Sequence, residues 1–152
     1  LTRGFYFDLG AAFERSGDRA QAEIYFEKCL KLQPDFAEAL NYLGYMWAER
    51  GEKLDRAREL IEKALKLQPD NPAYLDSMGW VLFKQNQPKE ALDYLLKAVE
   101  LNKEPDATLY DHLGDICAAL NEMDKAREAW RKSLAVEKHD AVQKKLEASQ
   151  SK

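Results

Sequence analysis

Between Ala37 and Asn71 the chain reads AEALNYLGYMWAERGEKLDRARELIEKALKLQPDN, and its apolar positions keep helical spacing. Leu40, Leu43, Gly44 and Trp47 fall three, one and three residues apart, which places them on one stripe of a helix. A turn around Gly51 follows. A second amphipathic run puts Ala57, Leu60, Ile61, Ala64 and Leu65 on its inner face, and Pro69 stops it. One such helix–turn–helix cannot bury both stripes by itself. The same reading along the chain predicts helices over 3–16, 19–32, 37–50, 55–67, 72–86, 88–101, 106–120 and 123–136. Pro72 and Pro88 suit a first helical turn, where the missing N–H costs nothing. Asn71 and Asp106 suit N-caps. A last helix over 139–150 carries Ala141, Val142 and Leu146 on one side and Lys144, Lys145, Glu147 and Gln150 elsewhere, the pattern of a cap over an exposed core edge.

The pattern is periodic. Gly10, Gly44, Gly79 and Gly114 are separated by 34, 35 and 35 residues, and Ala22, Ala57, Ala91 and Ala126 by 35, 34 and 35. Phe26, Ile61, Leu95 and Trp130 each follow those alanines by four. Small residues at a helix crossing let two axes approach, and the larger residue one turn later fills the gap they leave. The glycines are therefore expected to face the second helix of their own hairpin. Ala64 and Ala98 mark another small site, where Cys29 and Ser133 stand in the outer copies.

These positions resemble the tetratricopeptide repeat, a unit of about 34 residues. The first copy reads Tyr6, Leu9-Gly10, Phe13, Ala22, Phe26, Cys29, Pro34, and the second Leu40, Leu43-Gly44, Trp47, Ala57, Ile61, Ala64, Pro69. The third reads Leu75, Met78-Gly79, Leu82, Ala91, Leu95, Ala98, and the fourth Tyr110, Leu113-Gly114, Cys117, Ala126, Trp130, Ser133. The resemblance implies an all-α fold: an α/α right-handed superhelix of four repeats, 3–36, 37–71, 72–106 and 107–138, with a capping helix over 139–150. The second copy has one extra residue in its turn near Lys53-Leu54. The third has Lys103 where the closing Pro belongs, with Pro105 two residues later.

Composition narrows the function. Charged residues make up 33% and the net charge is −4, with no basic stripe to displace counterions from phosphates, so a nucleic-acid partner is not expected. No apolar run reaches membrane-spanning length. Cys29 and Cys117 lie in different repeats without metal-ligand spacing and read as small core residues; no metal or cofactor is expected. The chain opens on Leu1-Thr2-Arg3 and looks like a piece of a longer protein. The first repeat has no cap ahead of it, so Phe5, Tyr6 and Phe7 are expected to be partly exposed.

In proteins of this kind the first helix of each unit lines a concave face, and the resemblance carries that role by register onto this chain. It implies Phe7, Asp8, Ala11 and Glu14 in the first copy, and Glu38, Asn41, Tyr42, Tyr45 and Glu49 in the second. The third offers Asp76, Ser77, Trp80, Phe83 and Lys84, and the fourth Thr108, Asp111, His112 and Asp115. The aromatic residues supply flat apolar area, and Asn41 and Ser77 suit hydrogen bonds to a peptide backbone. Asp8, Asp76, Asp111 and Asp115 favour a ligand carrying Lys or Arg. Tyr45 and Trp80 suit packing against a neighbouring repeat equally well, and the aspartates also suit a plain solvated face. Some family members clamp an acidic chaperone C-terminus with Lys and Arg, but here those positions hold Phe7, Ala73 and Ser77, so that ligand is not expected. His112 and Asp115, three apart, form the single spacing with a catalytic reading, and they lack a second His, a nucleophile or a phosphate loop. No enzyme is expected.

The expected function is protein–protein interaction, as an adaptor or scaffold that binds a peptide segment of basic and apolar character. Self-association through the aromatic N-terminal edge, and service as the non-catalytic arm of a larger enzyme, are the alternatives. LNYLGYMWAERG and YLDSMGWVLFKQ also resemble repeats of bacterial cell-envelope lipoproteins and secreted scaffolds, which implies an envelope role; a cytoplasmic co-chaperone-like adaptor is the alternative, mildly favoured by two unpaired cysteines.

Overall fold

The computed structural model describes residues 2–150; Leu1, and with it the expectation about the chain's start, lies outside the described residues, as do Ser151 and Lys152. Among the described residues there are nine α-helices and no strand: α1 (Arg3–Arg15), α2 (Arg19–Leu32), α3 (Ala37–Arg50), α4 (Leu54–Leu67), α5 (Pro72–Lys84), α6 (Pro88–Leu101), α7 (Ala107–Ala119), α8 (Met123–Val136) and α9 (Asp140–Gln150). The chain divides into two units, residues 1–69 and 70–152. In the first, α1 pairs with α2 and α3 with α4, while α2 lies against α3. In the second, α5 pairs with α6 and α7 with α8; α7 rests on α6 and touches α5, and α9 covers α8.

Each hairpin closes where the small residues meet. A Cβ built on Gly44 would stand 2.7 Å from Ile61 Cγ1 and 3.0 Å from the Ala57 carbonyl oxygen. One on Gly79 would strike Leu95 and come within 3.1 Å of the Ala91 oxygen. Gly10 meets Phe26 and Gly114 meets Trp130 in the same way. The glycines thus face the second helix of their own hairpin, as the period required. Ala22, Ala57, Ala91 and Ala126 are all fully buried opposite them. Trp47, Phe26, Leu43 and Ile61 fill the first unit's core, and Met78, Leu82, Leu95 and Ile116 the second's.

The helix ends follow local chemistry. Asn71 Oδ1 accepts from Ala73 N at 2.9 Å and Asp106 Oδ1 from Thr108 N at 2.8 Å, so both residues cap the helices they precede. Thr2 Oγ1 does the same for Phe5 N. A left-handed residue stands seven positions after each repeat glycine: Gly17, Gly51, Asn86 and Asn121. Asn tolerates that conformation better than most residues, which is why two of the four turns need no glycine. These residues draw in the last turn, so α1, α5 and α7 stop one or two residues before the expected ends. The extra residue of the second hairpin lies between Gly51 and Leu54, where Lys53 adopts a second left-handed conformation at φ 47°. At the chain's start, Phe5 is 44% exposed and Tyr6 and Phe7 are half-buried.

Candidate functional site

In the first unit, the expected site residues sit on α3. Leu40, Leu43 and Trp47 bury one side of that helix, which leaves Asn41, Tyr42 and Tyr45 on its flank. Tyr42 is exposed on one side only. Its ring meets Phe7 edge-on at 5.5 Å and leans on Phe26 at 5.6 Å, and Phe7 in turn meets Phe36 at 5.2 Å. Tyr42 therefore seals the seam between the first two hairpins and offers its remaining surface to water. Tyr45 is half-buried. Asn41 is half-buried with its side-chain oxygen buried and without a hydrogen-bond partner. Asp8, Glu38 and Glu49 are exposed, Glu14 is half-buried and Ala11 is buried.

In the second unit the expected residues are drawn inward. Asp76, Ser77, Trp80 and His112 are all buried. Asp76 Oδ1 lies 2.8 Å from His112 Nδ1. The Trp80 ring stacks on His112 at 3.8 Å and 15°, and Phe83 stacks on Trp80 at 5.1 Å and 22°. Lys84 Nζ lies over the Trp80 ring at 5.1 Å. The indole nitrogen of Trp80 is buried with no hydrogen-bond partner. His112 thus pairs with Asp76 from the preceding hairpin, not with Asp115, and the spacing that gave it a catalytic reading brings no dyad together.

Asp111 and Asp115 are held from inside the protein as well. Lys145 of α9 donates to Asp111 at 2.9 Å and to Asp115 at 3.0 Å, and Trp130 Nε1 donates to Asp115 at 3.2 Å. Burial pushes the Asp115 carboxyl above the usual range; the Lys145 charge and hydrogen bonds oppose that, and Asp111 adds to it. These carboxylates tie the last helix to α7 and stay partly exposed, with Asp111 25% and Asp115 18% accessible. Thr108 is exposed.

One register relation describes two of these pairings. Phe7 and Tyr42, and Asp76 and His112, join the position three before one repeat glycine to the position two before the next. Lys145 and Trp130 drew no functional reading, because nothing local places them beside α7. Cys29 and Cys117 are buried free thiols, and burial raises Cys29 to about 11. Among the described residues no group of three His, Cys, Asp or Glu side chains comes together that could hold a metal ion, and no helix is long and apolar enough to cross a membrane.

Residues 7–72, 72–105 and 107–140 match family profiles described as tetratricopeptide repeat. Over 102 residues the chain is 43% identical to a TPR repeat-containing protein of Pseudomonas aeruginosa; the match takes in 67% of this chain and 17% of that protein. Among solved structures, a thermophilic TPR protein of Thermus thermophilus superposes with a TM-score of 0.86 at 22% identity, over 97% of this chain and 81% of that one. The pilF protein of Pseudomonas aeruginosa superposes with a TM-score of 0.82 at 26% identity, over 97% of this chain and 67% of that one. A MamA protein gives 0.68 at 28% identity, covering 88% and 72%.

Proposed function

The chain belongs to the tetratricopeptide-repeat family, and from that premise we propose that it binds a segment of a partner protein along the first helices of its hairpins. The fold is that of a protein–protein interaction module. The finer reading concerns where the segment lies and what it carries.

What supports a site on α3 is the pairing of an exposed ring with an unfilled acceptor. Tyr42 shows flat apolar surface to water, and one residue away the Asn41 oxygen has no partner. An unpaired buried acceptor costs about 1–3 kcal/mol. The terminal torsion of Asn is broad, so the carboxamide can turn its oxygen outward to a peptide N–H. Apolar side chains of the segment would lie on Tyr42 and Tyr45. Its basic side chains would meet Asp8, Glu38 and Glu49, which are exposed, and not Asp76, Asp111 or Asp115, which are engaged within the second unit. On the second unit, half-buried Phe83 and Lys84 offer the accessible part of the expected face, with Ser77, Trp80 and His112 beneath it.

The experiment is selection of peptides from a random display library on the immobilised chain, followed by titration of the enriched peptides. Asn41→Ala with Tyr42→Ala should weaken them about tenfold or more, a loss of about 1.4 kcal/mol. Enriched peptides that bind the double variant as tightly as the parent would place recognition away from α3.

A further inference from the structure

We propose that the groove between α6 and α8 is a docking site for an acidic amphipathic helix of a partner protein, distinct in its residues from the face that the first helices present. The groove encloses about 290 Å³. Leu92 and Leu96 of α6 wall it, Leu113 and Cys117 of α7 and Ala129 of α8 give it an apolar floor, and Lys125 stands on its α8 side with Lys132. Leu92 and Leu113 pack on the core cluster of the second unit, whereas Leu96 is 49% exposed.

The repeat register shows that this apolar wall is particular to α6. One and five residues after the repeat alanine, α2 carries Glu23 and Glu27, α4 Arg58 and Glu62, and α8 Arg127 and Arg131. α6 carries Leu92 and Leu96 there. In the first unit two ion pairs cross the equivalent seam: Lys53, which precedes α4, donates to Glu23 at 2.8 Å, and Arg56 lies 3.8 Å from Glu27. In the second unit Glu122 and Lys125 take the register of Lys53 and Arg56, but leucines stand where the two acids were. Lys125 turns back to Glu122 at 3.0 Å, and Lys132 pairs with Glu128 of its own helix at 3.3 Å. The two lysine side chains are 71% and 55% exposed, and ion pairs so exposed add little and exchange easily.

The missing acids define the occupant. It brings apolar side chains to Leu92, Leu96 and Ala129, and a carboxylate to Lys125, which lacks the cross-seam acid that Arg56 has. A basic segment would set like charge against Lys125 and Lys132. The lining residues are spaced as a helix partner requires. Leu92 and Leu96 lie four apart, and Lys125, Ala129 and Lys132 four and three apart, which are the ridge spacings that side chains of another helix interlock with.

The test selects helical peptides from a display library on the full chain and depletes the pool on the Leu96→Glu variant. That substitution gives Lys125 the acid that Glu27 gives Arg56, so the variant should keep the parent's helical content. Surviving peptides should join apolar residues three or four apart with Asp or Glu, and should bind Leu96→Glu about tenfold or more weakly than the parent. Lys125→Glu changes an exposed side chain and leaves the apolar lining intact; it should weaken the same peptides about threefold or more, most strongly at low salt. A pool with no survivors overturns the proposal, as do survivors that are basic or that bind Lys125→Glu as tightly as the parent. A parent chain that dimerises in sedimentation, with Leu96→Glu monomeric, also overturns it, because the groove then belongs to a second copy.

Discussion

Gly44 and Gly4 are both helical glycines, and their surroundings give opposite expectations for the same substitution. Alanine in place of a mid-helix glycine gains up to about 1 kcal/mol of helix propensity. At Gly44 the new methyl meets Ile61 Cγ1 and, at 3.0 Å, the Ala57 carbonyl oxygen, and a backbone oxygen in a packed helix cannot step aside. Overpacking of this kind costs about 1–3 kcal/mol. Gly44→Ala should therefore destabilise the first unit by about 1 kcal/mol or more in chemical denaturation. Gly4→Ala, where the nearest atom is Thr2 Oγ1 at 3.9 Å, should be neutral or stabilising by a few tenths of about 1 kcal/mol. If the two variants moved the midpoint alike, close approach would not be what holds glycine at that register. The residue scale is also where sequence reading failed at the site. Helix spacing shows only neighbours within one helix, so His112 was set beside Asp115. The geometry joins it to Asp76, 36 residues away, through a hairpin-to-hairpin contact that period alone does not draw.

At the scale of the element, the repeat register made the helices legible nearly to their ends, because small and large side chains alternate where rods must nest. The amphipathic pattern of α9 was equally plain, but its manner of attachment was not. Val142 and Leu146 bury one side, and Lys145 then reaches back to Asp111 and Asp115 while Arg127 of α8 donates to the Ser149 carbonyl at 2.7 Å. Burial alone would lower the Lys145 pKa; its hydrogen bonds to the two aspartates and their charges outweigh that and raise it above 10.5. A raised pKa in the folded state means stabilisation that is full below the unfolded value and fades as pH climbs through the folded one. About a third of the side chain remains in water, 34%, so screening holds the contribution to about 1 kcal/mol. Lys145→Met should thus lower stability by about that amount at neutral pH. The gap from the parent should narrow as the pH is taken above about 10.5. Denaturant titrations of both proteins across that range measure it directly, and a gap independent of pH would mean that α9 is held by its apolar side alone.

At the scale of the whole molecule, the period that reveals the fold also predicts how the chain comes apart. Repeat proteins draw stability from each unit and its immediate neighbours, so damage stays near its source. α9 covers one cluster, in which Cys117, Ala126 and Trp130 are buried together with Val142, and Leu113 and Leu134 pack alongside. Ending the chain at Lys138 uncovers that cluster and removes Lys145 from Asp111 and Asp115. In the full chain burial keeps the Cys117 thiol above its ordinary pKa, hence protonated and slow to react. The truncated chain should label at Cys117 with a thiol-reactive dye much faster than the parent, and the amides of α7 and α8 should lose protection. Cys29, buried in the first unit behind its own hairpin, should label no faster, and α1 to α4 should keep their exchange rates. Equal loss of protection across all the helices would mean that the chain melts as one block. Stability in this protein would then be shared over its full length and not passed from hairpin to hairpin, and the short-range packing of Gly, Ala and the large residue one turn on would be insufficient to account for it.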